Sequence, residues 1–127
     1  MAISETASPR PVILFADDEP GLRSIALEVL TEAGFDALAA ADGLEAVYLL
    51  STRPDITALI TDIRMPNMNG VELAALAQAQ IPSLKVALVT AYVDEAMRFI
   101  ELDRWPIWLK PFHIERLPSL ALELCSA

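Results

Sequence analysis

A single cysteine, Cys125, and a single histidine, His113, stand in a chain of 127 residues. A lone thiol cannot close an internal disulfide, so a reducing compartment is expected, and Cys125 reads as an incidental residue near the C-terminus. No cluster of His and Cys offers a soft metal site. Basic residues are also scarce, 9 Lys and Arg against 18 Asp and Glu, giving a net charge of -9 and a pI near 4.4. Such a surface repels nucleic-acid phosphates and anionic membranes, so neither is expected as a direct partner. Hydrophobic residues make up 54% of the chain, yet no uninterrupted apolar run reaches the ~20 residues that a bilayer span needs. Residues 1–10 hold Glu5 and small polar residues, with no basic region leading into an apolar stretch. They read as a flexible N-terminal arm rather than a signal peptide. The expectation is a cytoplasmic protein with one domain over residues 11–125, a length that leaves no room for a second of ordinary size.

What the chain does contain is an alternation of short apolar runs and helical patterns. Residues Val12–Ala16 read as a buried strand that ends in Asp17, Asp18, Glu19 and Pro20. Proline suits the first turn of a helix, and Leu22, Ile25, Ala26 and Val29 recur at helical spacing until Gly34. A second strand over 35–41 closes at Asp42 and Gly43, and Leu44, Ala46, Val47 and Leu50 mark the next helix. The third strand, 56–61, runs directly into Asp62 and then into the turn-rich stretch 65–70. Residues 71–79 suggest a helix, and 84–89 a fourth strand ending at Thr90. A fourth helix over 93–102 is amphipathic through Val93, Ala96, Met97 and Ile100. The short fifth strand, Ile107–Leu109, stops at Lys110-Pro111 before a fifth helix over about 114–124.

Five strands alternating with five helices predict an α/β fold, a doubly wound five-stranded parallel sheet. Ligands of such open sheets bind beyond the carboxyl ends of the strands, where the strand order reverses. Asp17, Asp18, Asp62, Thr90 and Lys110 all fall on that edge. Five polar groups there are costly unless they serve a common purpose. Three carboxylates brought together repel one another, and a hard divalent cation relieves the conflict. Magnesium suits an all-oxygen donor set. Given that ion, one carboxylate can attack a phosphoryl group while a lysine neutralises charge on its oxygens. Lys110 fits that task, and the Thr90 hydroxyl can hydrogen-bond the bound group.

The stretches Phe15-Ala16-Asp17-Asp18-Glu19-Pro20, Thr61-Asp62-Ile63-Arg64-Met65-Pro66 with Gly70, Val89-Thr90-Ala91 and Lys110-Pro111-Phe112 come in order at the ends of strands one, three, four and five. Together they resemble the response-regulator receiver family of two-component signalling, over almost the whole chain, with its flavodoxin-like receiver fold. The resemblance implies that Asp62 takes phosphate from the phosphohistidine of a histidine kinase or phosphotransfer protein. It implies magnesium held directly by Asp18 and Asp62, by Asp17 largely through water, and by the backbone carbonyl of Arg64. Thr90 and Lys110 become the phosphoryl-sensing pair, and the Lys110-Pro111 bond is expected to be cis. Glu19 reads instead as a residue that favours the start of the first helix, and His113 has no assigned role.

The departures from the family pattern are specific. The residue three before the lysine is Ile107 rather than Tyr or Phe, and Asp103, Arg104, Trp105 and Pro106 stand where a glycine is usual. Strand alternation gives Trp105 and Ile107 the same facing, so Trp105 is a candidate substitute for the missing ring, partly exposed near the fourth helix. Simple packing is the equal alternative. Arg64 and Tyr92, two residues after Asp62 and Thr90, can flank the route of an attacking water. A haloacid-dehalogenase-like phosphatase is disfavoured because Arg64 occupies the position of that class's second acid. A pseudo-receiver that is never phosphorylated conflicts with the complete acidic set. The expected mode is a stand-alone receiver, with no enzymatic turnover beyond its own phosphorylation and dephosphorylation, binding its target through the fourth helix, fifth strand and fifth helix.

Overall fold

The computed structural model describes residues 10–100, 104–111 and 113–126, with only the backbone described at Ile100. The expected arm over 1–10 and Phe112 of the fourth motif therefore fall largely or wholly outside the described residues. Five parallel strands, β1 (Val12–Ala16), β2 (Asp36–Ala40), β3 (Ala58–Asp62), β4 (Lys85–Thr90) and β5 (Ile107–Leu109), form one sheet in the order β2-β1-β3-β4-β5. The helices between and after them are α1 (Pro20–Glu32), α2 (Gly43–Thr52), α3 (Gly70–Gln80), α4 (Val93–Ile100) and α5 (Leu117–Ser126), the last entered through a 3-10 turn at Ile114–Arg116. Strand order reverses between β1 and β3, which puts a crevice above their carboxyl ends.

The central strands carry continuous apolar runs because both faces of the sheet are covered. Along β1, Val12, Leu14 and Ala16 point to one side, where they meet Ala46 and Leu50 of α2 and Leu73, Ala74 and Ala77 of α3. Ile13 and Phe15 point to the other, against Ala26 and Leu30 of α1 and Leu117, Ala121 and Leu124 of α5. Gly34, at φ +100, ends α1 in a conformation that side chains rarely adopt. Asn69 and Glu72 form a reciprocal capping box at the start of α3, and the Asp42 carboxylate accepts the Glu45 N–H at the start of α2. No helix among the described residues is long and apolar enough to cross a membrane.

One expectation changes, and one helix face was not foreseen. Of the apolar stripe read on α4, Val93 and Met97 are 62% and 63% exposed, whereas Glu95 is 8% exposed. Phe99, one turn beyond Glu95, packs against the core. The periodicity identified the helix but did not mark its inward face, because a buried carboxylate with partners can occupy the inward position as well as an apolar residue can.

Trp105 is the correction: the partly exposed ring is not found, and the packing alternative is. It shares a face with Ile107, as alternation requires, and Trp108 lies on the other. Its ring is nevertheless 8% exposed rather than partly open to solvent. Leu88 pairs with Ile107, so Trp105 lies two residues back along the strand, towards the amino end of the sheet and away from Thr90. There the indole N–H donates to Gln78 Oε1 at 3.1 Å, Gln78 Nε2 donates to the Leu84 carbonyl at 3.0 Å, and the Arg104 guanidinium lies 4.3 Å from the ring centroid. The ring anchors the entry to β5 onto α3. Trp105→Phe is expected to lower the unfolding free energy by about 1–2 kcal/mol, through the lost donor and the smaller ring. Urea denaturation measures it, and an unchanged midpoint would contradict the anchoring role.

Candidate functional site

Each site residue is positioned by the end of a strand. The Asp17 N–H donates to the Ala40 carbonyl at 3.1 Å and the Lys110 N–H to the Thr90 carbonyl at 2.8 Å, extending the ladders of β1 and β5 by a residue. Asp62 is the last residue of β3 and pairs with Val89. Its backbone is also backed by α3: a Cβ at Gly70 would collide with the Asp62 carbonyl and crowd Cα of Ile63. The Gly70 N–H donates to the Ile63 carbonyl at 2.8 Å. Only glycine allows the helix to begin this close to the strand end. The Lys110-Pro111 peptide bond is cis, as expected.

The Lys110 ammonium group bridges two acids, donating to Asp17 Oδ2 at 2.7 Å and to Asp62 Oδ2 at 3.1 Å. Asp17 is almost fully buried. Its Oδ1 accepts the Glu19 N–H at 2.9 Å, and its carbonyl accepts Arg23 Nη1 at 2.8 Å. Asp18 is exposed, and oxygens of Asp17, Asp18 and Asp62 lie within 4.8 Å of one another. Burial lifts the Asp62 carboxyl above its ordinary value; the Lys110 charge opposes this and the Asp17 charge adds to it, with the upward effects prevailing. Burial acts against the charged form of Lys110, but its hydrogen bond to Asp17 and the charges of Asp62 and Asp17 outweigh that, and its pKa is raised. The corner therefore carries three carboxylates against one ammonium group. Its donors are all oxygen, a set that fits a hard divalent cation rather than a soft one.

Thr90 ends β4 at the same edge, fully buried, but its hydroxyl is engaged elsewhere. It donates to Glu95 Oε1 at 2.6 Å and accepts the Tyr92 N–H at 3.1 Å. The backbone of Arg64 lies beside the Asp62 carboxylate and favours its charged form, the smallest of the influences on it. The Arg64 side chain reaches the other way, with Nε donating to Glu95 Oε2 at 3.1 Å and the guanidinium 3.7 Å from the centroid of Tyr92. Asp17, Asp18, Asp62 and Lys110 thus converge as expected, while Thr90 joins a neighbouring network. Sequence reasoning missed Glu95 and Arg23. An acid in the first turn of α4 looks like an ordinary partner for the helix dipole, and nothing local marks it as buried. His113 lies on the surface, 3.6 Å from Glu115.

An open, doubly wound α/β domain with an acidic pocket and a lysine at its switch point is the class that this geometry defines. The chain belongs to the response regulator receiver domain family, whose model matches residues 13–121. It is similar to sporulation initiation phosphotransferase F of Bacillus subtilis, 32% identical over 108 residues that cover 83% of this chain and 86% of that protein. It is 33% identical over 107 residues to the response regulator receiver protein CpdR of Brucella abortus, covering 83% and 88%. Among solved structures, a response regulator receiver protein from Sinorhizobium medicae superposes with a TM-score of 0.82 at 27% identity, over 93% of this chain and 96% of that one. Other relatives are much longer, and the chain spans 25% of one and 24% of another.

Proposed function

We propose that residues 11–125 act as a phosphoacceptor unit in which Asp62 takes a phosphoryl group from the phosphohistidine of a histidine kinase or phosphotransfer protein. The observation that carries this reading is the bridging of Asp17 and Asp62 by Lys110 beside the exposed Asp18. A carboxylate oxygen of Asp62 attacks phosphorus, a new O–P bond forms as the N–P bond breaks, and the imidazole leaves with the electron pair and takes up a proton. Asp18, Asp62 and the Arg64 carbonyl, with Asp17 reaching through water, would hold magnesium, which when bound neutralises charge on the phosphoryl oxygens. Lys110 then turns from its carboxylate partners to the new phosphoryl oxygens, and Thr90 donates its hydroxyl to one of them.

The chain performs no further turnover beyond losing this phosphate to water. Arg64 and Tyr92, stacked together, flank the path of that water and prolong the phosphorylated state. The target binds across α4, β5 and α5. Tyr92, Val93, Met97 and Leu109 support this, since they leave apolar side chains open to solvent on neighbouring elements. The chain either binds its target directly or passes phosphate onward.

Incubation with acetyl phosphate and magnesium is expected to add one phosphoryl group to the wild-type chain and none to Asp62→Asn, with both folded by circular dichroism. Mass spectrometry reads the outcome, and an equal yield from the variant would reject Asp62 as the acceptor. In a magnesium titration, Asp18→Ala is expected to lose most of the affinity and Glu19→Ala little, because the Glu19 backbone, not its carboxylate, contacts Asp17. The reverse order would contradict the ligand set. The Arg64→Ala, Tyr92→Ala double variant is expected to lose its phosphate several-fold faster than wild type once the donor is removed, and equal or slower decay would exclude shielding.

A further inference from the structure

We propose that Glu95 is a positioning residue that holds Thr90 away from phosphoryl recognition, so that phosphate on Asp62 must win the threonine hydroxyl from a resident carboxylate. This rests on the reading of Asp62 as the phosphoacceptor. A threonine has one hydroxyl proton and can give it to one acceptor at a time. Here that proton goes to Glu95 Oε1 at 2.6 Å, the length of a strong, charge-assisted bond, within a buried pair. Glu95 is itself fixed from its other oxygen by Arg64, whose guanidinium is clamped between that carboxylate and the Tyr92 ring. Thr90 is further held as acceptor of the Tyr92 N–H. Glu95 therefore ties the end of β4, the segment after Asp62 and the first turn of α4 into one network beside the acidic corner.

The consequence is a competition. Any phosphoryl oxygen that takes the Thr90 proton leaves Glu95 bonded to Arg64, and breaks the side-chain bond that ties the first turn of α4 to the end of β4. The apparent affinity for a phosphoryl group is then reduced by the fraction of molecules in which Thr90 is still bonded to Glu95. Phosphorylation and the release of α4 become coupled through one proton, with no aromatic ring required at Ile107. Arg64 is drawn into the same coupling because it shares the carboxylate.

Binding of beryllofluoride with magnesium, a phosphoryl mimic, tests this by calorimetry and fluorine NMR on the full chain. The variants are Glu95→Ala and Glu95→Gln, each with Thr90 intact and with Thr90→Val. Removing the latch is expected to tighten binding roughly tenfold in Glu95→Ala when Thr90 is present. Glu95→Gln keeps an acceptor oxygen without the charge and is expected to tighten it about threefold by the same competition. In the Thr90→Val background neither substitution should change the affinity. Glu95→Gln also preserves the shape of the buried side chain, so it carries the test if the alanine variant does not fold. Unchanged or weaker binding in Glu95→Gln, or an equal gain without the Thr90 hydroxyl, would overturn the latch. Failure of the wild-type chain to bind the mimic at all would instead overturn the phosphoacceptor reading.

Discussion

The ammonium group of Lys110 between the carboxylates of Asp17 and Asp62 is the interaction on which the carboxyl edge of the sheet depends. Two acids at the ends of neighbouring parallel strands repel one another, and the interior beside them is too apolar to screen that repulsion. A cation supplied by β5, from the far side of β4, resolves it and at the same time draws the end of β5 towards β1. The remaining contacts of the corner follow from this need. The Glu19 N–H meets the Asp17 carboxylate oxygen that Lys110 leaves free, and the Arg23 guanidinium holds the Asp17 carbonyl. The corner is thus held by a cation already bonded to both acids, one of them the residue proposed to accept the phosphoryl group.

Such an arrangement is costly in isolation, since burying charge carries a desolvation penalty that paired geometry only partly returns. The sheet carries that penalty elsewhere, in strands whose residues are buried on both faces. The domain thus divides into an apolar body and an acidic rim. The body fixes the rim in position, and the rim holds the chemistry.

The architecture was legible in the sequence because each central strand is a short continuous apolar run with an abrupt polar end. The run Val12–Ala16 followed by two aspartates fixes both the strand and its site-facing terminus, and the observed strand has these bounds. Where the reading failed, polarity and burial part company. Glu95 sits inside and Val93 outside, so the rule that the apolar stripe faces the core does not mark the inward face of α4. Trp105 was correctly assigned a facing but not a depth, because alternation specifies the side of a sheet and says nothing of what covers it. Neighbours distant in sequence, Gln78 among them, decide that the indole is buried. Gly70 lies between these cases. A turn-rich stretch predicts a glycine's presence, but the reason for it is visible only where the helix meets the carbonyl of Asp62.

That close approach of α3 to β3 has a mechanical consequence. With no side chain at position 70 there is no compressible layer between the helix start and the residue proposed to carry the phosphate, and the N–H of Gly70 is bonded to the carbonyl of Ile63. The strand end and the helix start behave as a butt joint, rigid under compression. On the opposite flank, Asp62 neighbours β4, whose last residue, Thr90, is bonded through its side chain to Glu95 of α4. A disturbance at Asp62 meets a wall on one flank and a hinge pin on the other, so the asymmetry of these two attachments gives the domain a direction in which to yield.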